Sequence, residues 1–143
     1  MHFVPPRGLE PWPCPRALLK DRRSSPGGDS RPPTYFTPWT GRDETCLLLS
    51  CVAEVFGPSF KYGRQWLSED GHEWALEFTA NVGDSSKVVH GIDLISLSDE
   101  GKIAEFTVLA RPPNAVSALK KEMMSRVPVR LATLKAKQAL GLM

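Results

Sequence analysis

The chain lacks most of the features that announce a particular chemistry. Its three cysteines, Cys14, Cys46 and Cys51, form neither a metal-ligand spacing nor an even disulfide set. Cys46 and Cys51 fall in an apolar run and read as small core residues of a reducing compartment. No nucleophile motif, phosphate-binding loop or cluster of metal ligands occurs, which removes most hydrolase, kinase and metalloenzyme readings. The expectation is a site that uses no cofactor and no metal. No apolar run approaches the roughly 18 residues that a membrane helix needs. The start, Met1-His2-Phe3-Val4-Pro5-Pro6, lacks the charged and apolar regions of a signal peptide. Taken together, these point to a cytoplasmic protein with no membrane contact.

A strong charge of one sign is missing too. The net charge is +2. The first 34 residues hold six basic and three acidic side chains, against 12 basic and 13 acidic in the remainder. The remainder is therefore nearly neutral and carries no electrostatic footprint for nucleic acid. A length of 143 residues suits one domain with a real core.

Proline is unevenly spread: nine of the 13 lie within the first 38 residues. They remove backbone donors and push preceding residues toward extended conformations. Ser24-Ser25-Pro26-Gly27-Gly28-Asp29 has a linker composition. Residues 1–34 therefore read as a proline-rich, irregular segment, 35–127 as one α+β domain and 128–143 as a C-terminal helical tail.

Within the domain, Thr40 can cap a helix that carries Leu48, Leu49, Val52, Val55 and Phe56 on one face and stops at Gly57-Pro58. Phe60–Leu67 reads as a first strand. In Glu73–Val82, the apolar residues Trp74, Leu76, Phe78, Ala80 and Val82 alternate with Glu73, Glu77 and Asn81, the pattern of a strand with one wet face. Val88–Ser98 and Ile103–Arg111 complete a meander that Pro112-Pro113 ends. A helix with Val116, Leu119, Met123 and Val127 on one face follows, ended by Pro128. A last helix over 129–140 is expected to turn Arg130, Lys135 and Lys137 outward.

The strand Val88–Ser98 carries the functional question. One face has Val89, Gly91, Asp93, Ile95 and Leu97; the other has Val88, His90, Ile92, Leu94 and Ser96. Both faces are largely apolar and both should be covered. Helices can cover only one face in so small a domain, so the other is expected to meet a second copy across a two-fold axis. Asp93 sits on an apolar face, where an unpaired carboxylate is costly. It can receive hydrogen bonds from a neighbouring side chain or a bulge at Gly91, protonate with a raised pKa, or line a wet cavity. A pocket acid or base is the functional version of the same placement. His90 has the opposite parity and should face away from Asp93, toward the surface or a dimer interface. Arg111 reads as a clamp on Glu105 or Glu122, or as a pocket cation.

The stretch Gly91-Ile92-Asp93 through Gly101-Lys102-Ile103 to Arg111-Pro112 resembles the last hairpin of the SnoaL-like branch of the nuclear-transport-factor-2-like superfamily. Phe36-Thr37-Pro38-Trp39-Thr40-Gly41-Arg42-Asp43-Glu44 is similar to that branch's passage into its helix. The resemblance covers residues 34–127. It implies a cone-shaped, curved mixed sheet wrapped around helices, often dimeric through the outer sheet face, in a superfamily that includes polyketide cyclases, ketosteroid isomerases and epoxide hydrolases. Asp93 matches the position where ketosteroid isomerases carry an oxyanion-stabilising acid, kept neutral so that it can donate a hydrogen bond. No tyrosine matches the family's helical position; Tyr35 and Tyr62 are the only two in the chain.

Two functional expectations follow. One is a dimeric module that binds a small hydrophobic molecule in a pocket around Asp93, lined by Trp74, Leu76, Phe78, Ile95, Phe106, Val108 and Ala110. The other is an isomerase, cyclase or hydrolase that uses Asp93 as acid, base or oxyanion-stabilising acid on a hydrophobic carbonyl or cyclic substrate.

Overall fold

The computed structural model describes residues 29–31 and 42–142. A short strand β1 (Asp29–Arg31) is followed by helix α1 (Arg42–Phe56), a 3₁₀ turn (Gly57–Ser59) and four strands. These are β2 (Lys61–Leu67), β3 (Glu73–Asn81), β4 (Val88–Leu97) and β5 (Ile103–Arg111); helices α2 (Pro113–Met124) and α3 (Val127–Ala139) close the chain. The sheet order is β1-β5-β4-β3-β2. Strands β2 to β5 form an antiparallel meander, and β1 adds a parallel edge to β5. This is the expected mixed sheet, although its parallel strand lies within the stretch whose proline and glycine content suggested irregular chain.

Asp43 and Glu44 place negative charge in the first turn of α1, where the helix dipole favours it. Thr40, the expected cap, lies outside the described residues. Gly57 ends the helix in the left-handed region, with φ of 52°. The backbone N–H of Gly83 then donates to the carbonyl of Val55 at 3.0 Å, which ties the β3–β4 hairpin to the end of α1.

Two register shifts bend the sheet. Between Tyr62 and Gln65 of β2, two residues oppose the single Glu77 of β3. A second shift lies between Ser96 and Leu97, against β5. Such bulges sharpen local twist and curl a sheet around what it covers. Here the inner face wraps α1 and α2. One apolar cluster joins Leu48, Cys51, Val55 and Phe56 of α1 with Phe78, Val89, Leu119 and Met123. A second joins Cys46 and Leu49 with Trp74, Leu76, Ile95, Ile103 and Phe106.

Four expectations need correction, in whole or in part. Pro128 does not end a helix: α2 stops at Met124, and Pro128 sits in the first turn of α3, where its missing N–H leaves no helical bond unmade. Val127 opens α3, and on α2 it is Ala115 rather than Val116 that is buried with Leu119 and Met123. Lys135 and Lys137 are exposed as expected, and Arg130, its side chain 41% exposed, leans across the surface to α1. Its guanidinium makes a two-pronged bond to Glu54 of α1, at 2.7 and 2.8 Å, and so clamps α3 to α1. The cysteines are corrected in part. Cys46 and Cys51 are both buried, but Cys46 is disulfide-bonded while Cys51 is free. An odd cysteine count leaves room for one bridge beside a lone thiol.

No helix of the described residues is long and apolar enough to cross a membrane.

Candidate functional site

Asp93 lies in the middle of β4, between Leu76 on β3 and Val108 on β5. Alternation along β4 fixes its direction: Val89, Gly91, Asp93 and Ile95 are buried on the inner face, while Val88 and Leu94 are exposed on the outer one. Asp93 is only 3% exposed. It is the one carboxylate buried among the described residues. It stands at the seam of the two apolar clusters, and Val108 beside it packs against both.

The partner of Asp93 is Tyr62. On β2 the bulge keeps Tyr62 and Gln65 on the same inner face, opposite Phe78 and Leu76 respectively. The ring of Phe60 meets Tyr62 edge to face at 4.9 Å and stacks on Phe78 at 5.3 Å. So held, the Tyr62 phenol is the polar neighbour that acts on the ionisation of the Asp93 carboxyl. Burial pushes the Asp93 carboxyl up to about 8, although the Tyr62 hydrogen bond acts in the opposite direction. Burial also raises the Tyr62 phenol, and the neighbouring Asp93 raises it further. At neutral pH the pair is thus a phenol and a largely neutral carboxylic acid, two O–H groups in apolar surroundings. Of the two alternatives for Asp93, a bulge at Gly91 is not present, since β4 runs in continuous register there, and the neighbouring side chain is Tyr62.

The remaining expected lining residues fall on the same inner face. Trp74, Leu76, Ile95 and Phe106 share one cluster, Phe78 belongs to the other, and Ala110 packs against the cluster of Phe78. The Trp74 indole N–H is held by the Gly71 carbonyl at 2.9 Å.

His90 faces the opposite side, as its parity with Asp93 requires. Its Nε2 lies 2.7 Å from Oε1 of Glu77, and its Nδ1 accepts from Nε of Arg111 at 3.0 Å. An acceptor at Nδ1 leaves the ring proton on Nε2, directed at Glu77. Glu77 also takes a two-pronged bond from Arg64, at 2.8 and 2.9 Å. Hydrogen bonds from Arg64 and His90 hold its carboxyl well below the usual range. Arg111 therefore clamps neither Glu105 nor Glu122. The β4–β5 register sets it directly opposite His90, and Glu122 is engaged by Arg126 at 2.8 Å.

Tyr62 was the residue that sequence reasoning passed over. Its parity with Phe60 was a usable signal for its face, but its meeting with Asp93 depends on pairing across two strand boundaries and on the bulge.

No protein-family model and no curated protein matches the sequence. Solved structures do. An uncharacterised bacterial protein with a cystatin-like fold from Silicibacter pomeroyi DSS-3 is 38% identical over 87% of this chain and 81% of its own, with a TM-score of 0.72. A steroid delta-isomerase from Pseudomonas aeruginosa is 36% identical over 82% of this chain and 80% of its own, with a TM-score of 0.70. A protein described as a SnoaL-like polyketide cyclase, from Jannaschia sp. CCS1, shares the fold at 14% identity, covering 73% of this chain and 75% of its own with a TM-score of 0.53.

Proposed function

Because this chain belongs to the nuclear-transport-factor-2-like superfamily, together with SnoaL-like members, we propose that it binds a small apolar carbonyl compound on the inner face of its sheet. The observation that carries this reading is the Tyr62–Asp93 pair. A neutral Asp93 carboxyl accepts from Tyr62 on one oxygen and donates its own O–H to the ligand's carbonyl oxygen from the other. Each bond of such a chain polarises the next, and the apolar surroundings strengthen both. Trp74, Leu76, Phe78, Ile95, Phe106, Val108 and Ala110 are the apolar lining of the proposed pocket.

The same geometry serves chemistry in which negative charge develops on that oxygen, since a preorganised donor is worth most where charge appears. An isomerase-type activity is the second reading, favoured by the 36% identity to a steroid delta-isomerase. Proton abstraction beside the carbonyl also needs a base. Asp93 is the only buried carboxylate among the described residues, so the step supported first is the one both readings share, holding and polarising the carbonyl.

The test is the near-ultraviolet band of 1-tetralone, a bicyclic aryl ketone whose absorption moves to the red when its carbonyl accepts a strong hydrogen bond. The wild-type protein is expected to shift the band, and Asp93→Asn and Tyr62→Phe to weaken the shift. A band that does not move in the presence of saturating wild-type protein rules the reading out. For the second reading, 3-cyclohexen-1-one is converted to its conjugated isomer. Conversion no faster than in buffer leaves a binding module without turnover.

We also propose a homodimer through the outer sheet face. Exposed Trp66, Val88, Leu94 and Leu109 support it, as does a groove of about 540 Å³ that includes Trp66, Ala75, Leu94 and Thr107.

A further inference from the structure

One polar atom on the inner face has no partner. The bulge that turns Tyr62 inward also turns Gln65 inward, opposite Leu76. Leu76 in turn pairs with Asp93. A single row across the sheet therefore reads Gln65, Leu76, Asp93, Val108. Among the described residues, Oε1 of Gln65 is the only buried side-chain oxygen or nitrogen that makes no hydrogen bond. Buried acceptors left unpaired are uncommon because the lost hydration is not replaced, so each such atom calls for a reason. Here the reason has a place: the same face and the same row as the carboxyl that is to hold a ligand's carbonyl.

We infer that Gln65 is a second anchor of the ligand site and that its Oε1 accepts a hydrogen bond from a ligand hydroxyl or N–H. This rests on the carbonyl-binding reading and narrows the ligand class. The ligand carries an acceptor for Asp93 and, away from it across an apolar body, a donor for Gln65. Two strand spacings separate the residues, about 9–10 Å between their backbones, with the apolar Leu76 between them. A small fused-ring ketone with a hydroxyl on the far ring meets that description. A ketone without the hydroxyl leaves Oε1 of Gln65 buried and unpaired in the complex, and so binds more weakly.

Two ligands against four proteins test this. The ligands are 1-tetralone and 6-hydroxy-1-tetralone, and their affinities are measured by calorimetry. The proteins are wild type, Gln65→Leu, Gln65→Glu and Tyr62→Phe, each first shown to melt cooperatively. Wild type is expected to prefer the hydroxylated ketone by roughly tenfold or more, the effect of satisfying one buried acceptor. Gln65→Leu abolishes that preference, read as the ratio of the two affinities within each protein. Gln65→Glu, which keeps an acceptor oxygen, retains the preference. If the hydroxyl's advantage is equal in wild type and Gln65→Leu, while Tyr62→Phe still weakens both ligands, the Gln65 inference is overturned and carbonyl binding stands. Equal affinity of 1-tetralone for wild type and Tyr62→Phe overturns the carbonyl reading, and the inference that depends on it. Absence of binding by either ketone overturns both.

Discussion

The ring of Phe78 lies against Gly91, so close that β4 has no room for a side chain there. A Cβ at position 91 would stand 2.6 Å from Cζ of Phe78 and 2.6 Å from the backbone carbonyl oxygen of Leu109. The ring can tilt, but the carbonyl belongs to the neighbouring strand and cannot move without distorting the ladder. Gly91→Ala is therefore expected to lower stability by roughly 2–3 kcal/mol, the range for overpacking a tight interior. In urea unfolding, a double variant with Phe78→Leu should remain less stable than Phe78→Leu alone, because the Leu109 contact persists. A double variant as stable as the Phe78→Leu single would mean that the ring is the whole obstacle.

Asp93 makes stability depend on pH in a direction of its own. Its carboxyl titrates near 8 when folded and near 3.8 when exposed, so between those values the folded chain holds a proton that the unfolded chain has released. Stability falls with rising pH wherever the folded state binds more protons, at about 1.4 kcal/mol per pH unit for one proton. The Asp93 contribution is thus full below about pH 4, declines through neutrality and is lost above about 8. Glu54, lowered by its bond to Arg130, acts oppositely in acid. The measurable quantity is the difference between wild type and Asp93→Asn in unfolding free energy from pH 5 to 8. Wild type should lose stability relative to the variant across that interval, and parallel curves would show that Asp93 does not titrate there.

Removing the phenol should move the carboxyl further. The Tyr62 hydrogen bond lowers the Asp93 pKa against the larger effect of burial. Tyr62→Phe deletes that donor and leaves the apolar surroundings nearly unchanged. The Asp93 midpoint, followed by the carboxyl carbon resonance of labelled protein, is expected to rise above its wild-type value of about 8. A midpoint that stays or falls would mean that the phenol does not reach the carboxylate.

Much of this was legible in the sequence because alternation is local. The period-2 pattern of Glu73–Val82 assigned Trp74, Leu76 and Phe78 to one face, and Asp93 followed from Gly91 and Ile95 on either side. Bulges broke that legibility. Nothing in Lys61–Leu67 states that two residues oppose Glu77, yet that insertion brings both Tyr62 and Gln65 inward. The partner of Arg111 is hidden for a related reason: an arginine's charge points to a carboxylate, whereas the register places His90 opposite it. Pro128 is ambiguous in the sequence alone, because proline that ends one helix equally suits the first turn of the next.

The outer face supplies the last test. Its rows run from basic to acidic along the strands. The cations Lys61 and Arg111 share one row; Trp66, Ala75 and Leu94 share a middle one; Glu73 and Glu105 flank Ser96 at the far end. A two-fold axis lying in the interface and crossing the strands would set each acidic row over the partner's basic row, with Leu94 and Trp66 near the centre. Like charges facing one another would oppose the alternative axis along the strands. Leu94 is 39% exposed in the single chain, so Leu94→Arg should leave the fold intact while placing an unpaired charge in the apolar centre. The dimer is expected to weaken roughly a hundredfold or more, read by sedimentation at micromolar protein. Rising salt should weaken the wild-type dimer as well, because the row-to-row attraction is screened over about 10 Å at 0.1 M. A wild-type chain that sediments as a monomer at those concentrations excludes the sheet-to-sheet dimer. A dimer indifferent to Leu94→Arg would have to form through another surface.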